Sequence, residues 1–110
     1  MEITSPSNPK LKYVVKLRSC STREESGEMI VEGYRECRRA LDSGYRPRAI
    51  FHCPEFYLKN ENEPGLVDEC SRLGAEVYTC SKTCFSKIAY KERPDGLLMV
   101  GPHVSIKLAD

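Results

Sequence analysis

The side chains able to do chemistry in this chain are cationic, and they gather near its start. Lys10, Lys12, Lys16, Arg18 and Arg23 stand against a single acid, Glu2, within residues 1–23, so that stretch carries +4 and the remainder −3. Arg35, Arg38 and Arg39 follow on one short segment. Lysine ammonium groups attract phosphate without fixed direction, and the attraction weakens with salt. Guanidinium groups stay charged and grip phosphate bidentately. A basic arm on a mildly acidic body points to a polyanionic partner. The plainer reading of the same residues is a solvated helix surface, with Arg38 and Arg39 paired to Glu36 and Asp42.

Other chemistries find little support. No Gly-x-Gly-x-x-Gly or Walker-type loop is present to cradle a phosphate, no Gly-x-Ser-x-Gly elbow, and no His/Asp/Glu set at metal-ligand spacing. Glu24 and Glu25 are adjacent and cannot face one another across a helix. The cysteines are Cys20, Cys37, Cys53, Cys70, Cys80 and Cys84, with no Cys-x-x-Cys pair to suggest zinc. Cys37 and Cys70 fall on expected helix stripes, and Cys53 and Cys80 end expected strands, which are places for small buried hydrophobes. A cysteine nucleophile would have only His52 and His103 as partners. The chain therefore reads as a binding module with no catalytic, cofactor or metal residues of its own.

The elements that must position these cations can be read in order. A length of 110 residues and a hydrophobic content of 40% suit one domain with its own core. Asn8 is placed to cap a helix with Pro9 at its first position. Leu11, Val14, Val15 and Arg18 then follow a helical period, with Tyr13 and Leu17 broadening the stripe. Ser19–Gly27 reads as a loop or a helical turn. Met29–Val31 is a strand, and Gly33–Ser43 a helix carrying Tyr34, Cys37 and Leu41 on one face, stopped by Gly44. Arg48–Cys53 is a second strand. A long connection from Pro54 to Pro64 precedes a helix bearing Leu66, Val67, Cys70 and Leu73. Ala75–Cys80 is a third strand, Ser81 caps a helix over Lys82–Tyr90, and Leu97–Val100 is the last strand. The tail 101–110, with Val104, Ile106 and Leu108, either extends the sheet or is a linker. Alternation of this kind predicts an α/β domain with a mainly parallel sheet and helices on both faces. The start of the chain has no apolar signal core, and no window approaches the roughly 20 apolar residues of a membrane span, so a cytoplasmic protein is expected.

Several motifs then line up in order: Ser7-Asn8-Pro9-Lys10-Leu11-Lys12, Leu17-Arg18, Arg23-Glu24-Glu25-Ser26-Gly27, Ile30-Val31-Glu32-Gly33-Tyr34-Arg35-Glu36, and Arg93-Pro94-Asp95-Gly96. Together they resemble the N-terminal substrate-binding domain of the SpoU (TrmH-like) RNA 2′-O-ribose methyltransferases. The chain departs from that pattern at Ser21-Thr22, where basic residues are common, and at Met29, where an aromatic is common. The resemblance implies a small three-layer α/β/α sandwich like that of kink-turn-binding ribosomal proteins. It implies a domain over residues 1–101 and, from 102 to 110, the start of a linker to a knotted methyltransferase domain absent from this chain. S-adenosylmethionine and homodimerisation would belong to that absent domain. The partner implied is structured RNA, ribosomal RNA first and transfer RNA second. Asn8, Lys12, Arg23 and Arg35 map best to the RNA-facing positions, with Glu32 and Gly33 forming the turn that presents Arg35. Lys10, Lys16, Arg18 and Arg39 complete the candidate set. The alternatives are a stand-alone RNA-binding protein of the ribosomal type and a protein-interaction domain whose basic arm is merely solvated.

Overall fold

The computed structural model describes residues 1–58, 62–90 and 92–104. The elements run β1 (Glu2–Ile3), α1 (Pro9–Lys16), α2 (Cys20–Ser26), β2 (Glu28–Glu32), α3 (Tyr34–Asp42), β3 (Ala49–His52), a single 3-10 turn (Pro54–Phe56), α4 (Asn62–Arg72), β4 (Glu76–Cys80), α5 (Lys82–Ile88) and β5 (Leu97–Pro102). The strands form one sheet in the order β1-β4-β3-β5-β2.

The sheet is buried on both faces, and the side-chain period of a strand sorts the core into two halves. Leu98 and Val100 pack with Ile3, Leu11, Val14, Leu17, Phe51, Phe85 and Ile88, beneath α1 and α5. Leu97 and Met99 pack with Val31, Cys37, Leu41, Ile50, Leu66 and Cys70, beneath α3 and α4. All four residues of the run Leu97–Val100 are fully buried, as a central strand requires. The architecture is the expected α/β/α sandwich.

Strand direction differs in one respect from a simple parallel sheet. β1 pairs parallel with β4, and β4 with β3, but β5 pairs antiparallel with both β3 and β2. The cause lies in the connection. A helix of seven residues is only about 10 Å long. Its C-terminal Ile88 carbonyl meets Arg18, near the end at which β2 finishes. The chain therefore re-enters the sheet from that same end, and β5 must run back.

Other local differences have plain reasons. β1 has no sequence signal, because two residues cannot show a period. Within Ser19–Gly27 lies the full helix α2, capped by the Ser19 hydroxyl on the Thr22 N–H and ended by left-handed Gly27. Val15 is 44% exposed, because Leu11, Val14 and Leu17 fill the inward face of α1. α4 already begins at Asn62, and α5 ends at Ile88 short of Tyr90. The last strand continues through Gly101 and Pro102, while the alternation of Ile106 and Leu108 falls in 105–110, outside the described residues.

Candidate nucleic-acid interface

Two motifs far apart in sequence meet at the end of the sheet where β2 finishes and β5 starts. Gly33 turns the chain with φ of 99° and donates its N–H to the Leu97 carbonyl at 2.9 Å. A glycine offers no side chain to cap α3, and Asp95 supplies the missing acceptor, its Oδ2 taking the Tyr34 N–H at 2.8 Å. A carboxylate suits that position because the first helical N–H groups lack partners and carry partial positive charge. Gly96, with φ of 82°, accepts the Cys53 N–H on its carbonyl; a Cβ there would lie 2.4 Å from the Cys53 oxygen. The Glu32–Arg35 and Arg93–Gly96 motifs are thus one structural unit. It leaves Arg35 and Arg93 exposed. Arg35 borders a cleft of about 290 Å³ together with Tyr34, Leu58, Asn62, Glu63 and Asp95.

Glu32 works on the other side of the same turn. Its side chain is 8% exposed and pairs with Arg18 at 2.8 Å. The same carboxylate accepts the Tyr90 N–H at 3.0 Å. Arg18 also donates to the Ile88 carbonyl at 2.6 Å, and its guanidinium lies 5.3 Å from the centre of the Tyr90 ring.

The eight expected RNA-facing residues are sorted by this fold. Asn8 caps α1, its Oδ1 accepting the Lys10 N–H at 2.8 Å. Arg23 spends Nη1 on the carbonyls of Leu17 and Arg18, both at 2.9 Å, and so closes the corner between α1 and α2. Arg18 is held as described. Lys12 and Lys16 are exposed one turn apart on α1. Lys10 is also exposed, but its ammonium sits 5.5 Å over Tyr78, beside Arg48 and Glu76 at the strands' starting end. Arg39 is half-buried on α3, one turn beyond Arg35. Arg38 pairs with Asp42 and, through Nη2, with both oxygens of Glu69 on α4. Arg18 and Arg35 therefore flank one end of the sheet, Lys12 and Lys16 line α1, and Lys10 lies away from Arg35.

The starting end of the strands holds a separate network that no motif signalled. Glu28 accepts Arg48 Nε at 2.6 Å and Nη2 at 3.1 Å, and also the Tyr13 hydroxyl. The Arg48 hydrogen bonds hold the Glu28 carboxyl below its usual range. His52, at the end of β3, is bonded through Nδ1 to the Tyr57 hydroxyl and through Nε2 to Thr79 Oγ1, and burial lowers its pKa. Burial pushes the Cys70 thiol up to about 11 and Cys80 to about 12, so both stay protonated near neutral pH. Among the described residues no group of three or more His, Cys, Asp or Glu side chains is arranged to hold a metal ion. No helix among the described residues is long and apolar enough to cross a membrane.

Known proteins bear on this geometry. Residues 8–99 match the family model of the MRM3-like substrate binding domain. An uncharacterized tRNA/rRNA methyltransferase of Synechocystis is 27% identical over 96 residues, covering 87% of this chain and 34% of that protein. An rRNA methyltransferase from Sinorhizobium meliloti superimposes with a TM-score of 0.77 at 20% identity, over 94% of this chain and 37% of that one. The SpoU methyltransferase AviRb from Streptomyces viridochromogenes, solved with AdoMet, does so with a TM-score of 0.65 at 17% identity, over 89% of this chain and 34% of that one. These structural likenesses concern the fold. The chain spans about a third of the length of the curated relative it matches.

Proposed function

The chain belongs to the MRM3-like substrate-binding domain family, of the SpoU/TrmH type, and from that premise we propose that it grips structured RNA for a 2′-O-ribose methyltransferase whose catalytic domain lies outside this chain. The observation that carries the reading is the junction of Glu32–Arg35 with Arg93–Gly96. It presents Arg35 at the start of α3, and among the described residues the Arg35 side chain makes no ion pair. An exposed guanidinium is suited to a phosphate oxygen. Lys12 and Lys16 add attraction along α1. Asn8 Oδ1, Arg18 Nη2 and Arg23 Nη1 are bonded to the chain itself, which fixes how these side chains stand on the surface. Arg39 extends the surface along α3, and Lys10 contributes long-range attraction.

Ribosomal RNA is the substrate we favour, since the Sinorhizobium relative is described as an rRNA methyltransferase. Residues 1–101 make up the domain, with Pro102 closing β5, and the linker follows. S-adenosylmethionine and the dimer contacts belong to the second domain, and the protein works in the cytoplasm. Folded RNA is read by its shape, its backbone and its unstacked bases, which a rigid sandwich with cations on one edge can do without chemistry of its own.

Binding of ribosomal and transfer RNA fragments across a salt series tests the reading. Affinity should fall steeply with salt. Arg35→Ala should weaken binding and lower the salt slope by about one contact, with an unchanged melting temperature. Absence of binding even at low salt would favour a protein-interaction domain.

A further inference from the structure

Among the described residues Tyr90 is the most exposed large apolar side chain, at 80%, yet its surroundings are built and not loose. Its main-chain N–H is fixed to both oxygens of Glu32, at 3.0 and 3.2 Å. The same carboxylate pins Arg18, whose guanidinium lies over the Tyr90 ring. Arg18 is held a second time by the Ile88 carbonyl. A single nearly buried carboxylate thus orients both members of an aromatic–guanidinium pair while the ring stays open to solvent. Burying the ring against a neighbouring helix would have been the ordinary use of a tyrosine. Here the main chain of Tyr90 meets Glu32 at the turn that leads to Arg35, and α1 with its exposed lysines ends at Lys16, two residues before Arg18.

We propose that Tyr90, backed by Arg18, is a stacking platform for one unpaired base of the bound RNA. The proposal rests on the RNA reading above and adds a residue and a ligand class to it. Three features favour a base over an apolar protein surface. Arg18 places a positive charge on the platform itself, and the basic arm of residues 1–23 supplies cations for the phosphates of a flipped nucleotide. Guanidinium and phenol planes both stack on nucleobases, and every base offers a π-face, so no particular base identity is required. The two halves are already oriented, so little ordering is demanded on binding.

The test compares wild type, Tyr90→Phe, Tyr90→Leu and Tyr90→Ala on two probes: a hairpin RNA with an unpaired loop and a fully paired duplex of equal charge. Melting temperatures check that each variant is folded. Tyr90→Phe should bind the looped probe as wild type does. Tyr90→Ala and Tyr90→Leu should lose about tenfold on it, the order expected for one stacked base. Their salt slope should be unchanged, because stacking releases no counterions. The duplex should not distinguish the variants. Equal binding of the looped probe by Tyr90→Ala and wild type, while Lys12→Ala/Lys16→Ala still weakens it, would overturn the platform and leave the RNA reading intact. Equal losses on both probes would overturn it too, since the ring would then be acting through Arg18 charge placement. No salt-dependent binding by the wild type would defeat both readings.

Discussion

Glu32→Gln should loosen one corner of the fold without disturbing the rest. The carboxylate ties α1, through Arg18, to the segment after α5, through the Tyr90 N–H. Removing one partner of a fully buried ion pair costs about 3–5 kcal/mol, and of an exposed one about 0–1 kcal/mol. The pair lies between these limits, since the side chains of Glu32 and Arg18 are 8% and 32% exposed. Arg18 keeps the Ile88 carbonyl and partial access to water, so its charge is not stranded. The glutamine oxygen can still accept one of the two donors. A loss of about 1–2 kcal/mol follows. In a domain of this size that lowers the melting temperature by roughly 5–15 °C. Arg18→Met should cost more, about 2–3 kcal/mol, because it takes the Arg18 cation away from the more deeply buried charge. The double variant should cost less than the sum, with a coupling of about 1 kcal/mol. Urea unfolding monitored by circular dichroism measures all three. Additive losses, or a Glu32→Gln change within about 0.5 kcal/mol, would refute the claim that this carboxylate holds the corner.

Three further outcomes are expected. Gly96→Ala combines a left-handed backbone with a Cβ 2.4 Å from the Cys53 carbonyl oxygen, so it should destabilise the domain by at least about 3 kcal/mol; a loss below about 1 kcal/mol in urea unfolding would mean the turn relaxes freely. Burial depresses the His52 pKa, so the unfolded chain takes up a proton near pH 6.5 that the folded one refuses until lower pH. Unfolding free energy should accordingly fall as pH drops below about 6.5, by at most about 1.4 kcal/mol per pH unit, and His52→Gln should flatten that slope. Arg38→Ala breaks a clamp between α3 and α4 whose partners are about a third exposed or more, so it should cost no more than about 1 kcal/mol and less in high salt.

The order of elements was legible because its signals are local. Asn8 before Pro9, Ser81 before Lys82, and Gly44 and Gly74 after their helices are caps and stops that neighbouring residues define. The run Leu97–Val100 announced a strand buried on both sides. Its direction was not legible, because apolar character is the same whichever way a strand runs. β1 was too short to show a pattern, and its place beside β4 is fixed by pairing across 76 residues. The resemblance brought Glu32, Gly33 and Arg35 forward, but the reason for Glu32 lay in Arg18 and Tyr90. Neither is near it in sequence, so no spacing could reveal the contact.

The fold also revises what the basic arm means. Its charge of +4 suggested five interchangeable cations against one acid. Arg18 is in fact matched by Glu32, and Arg23 turns its donors onto the carbonyls left open where α1 ends. An arginine that closes a helix corner and one that faces outward have the same composition and charge. What separates them is the nearest acceptor. Arg23 lies five and six residues after two carbonyls that need a donor, whereas Arg35 sits at the start of its helix, where the backbone offers donors and no free acceptor. An arginine at a helix start is left to look outward. The free cations of the surface are therefore fewer than the sequence count, and binding should depend on Lys12, Lys16 and Arg35 far more than on the total charge of the arm.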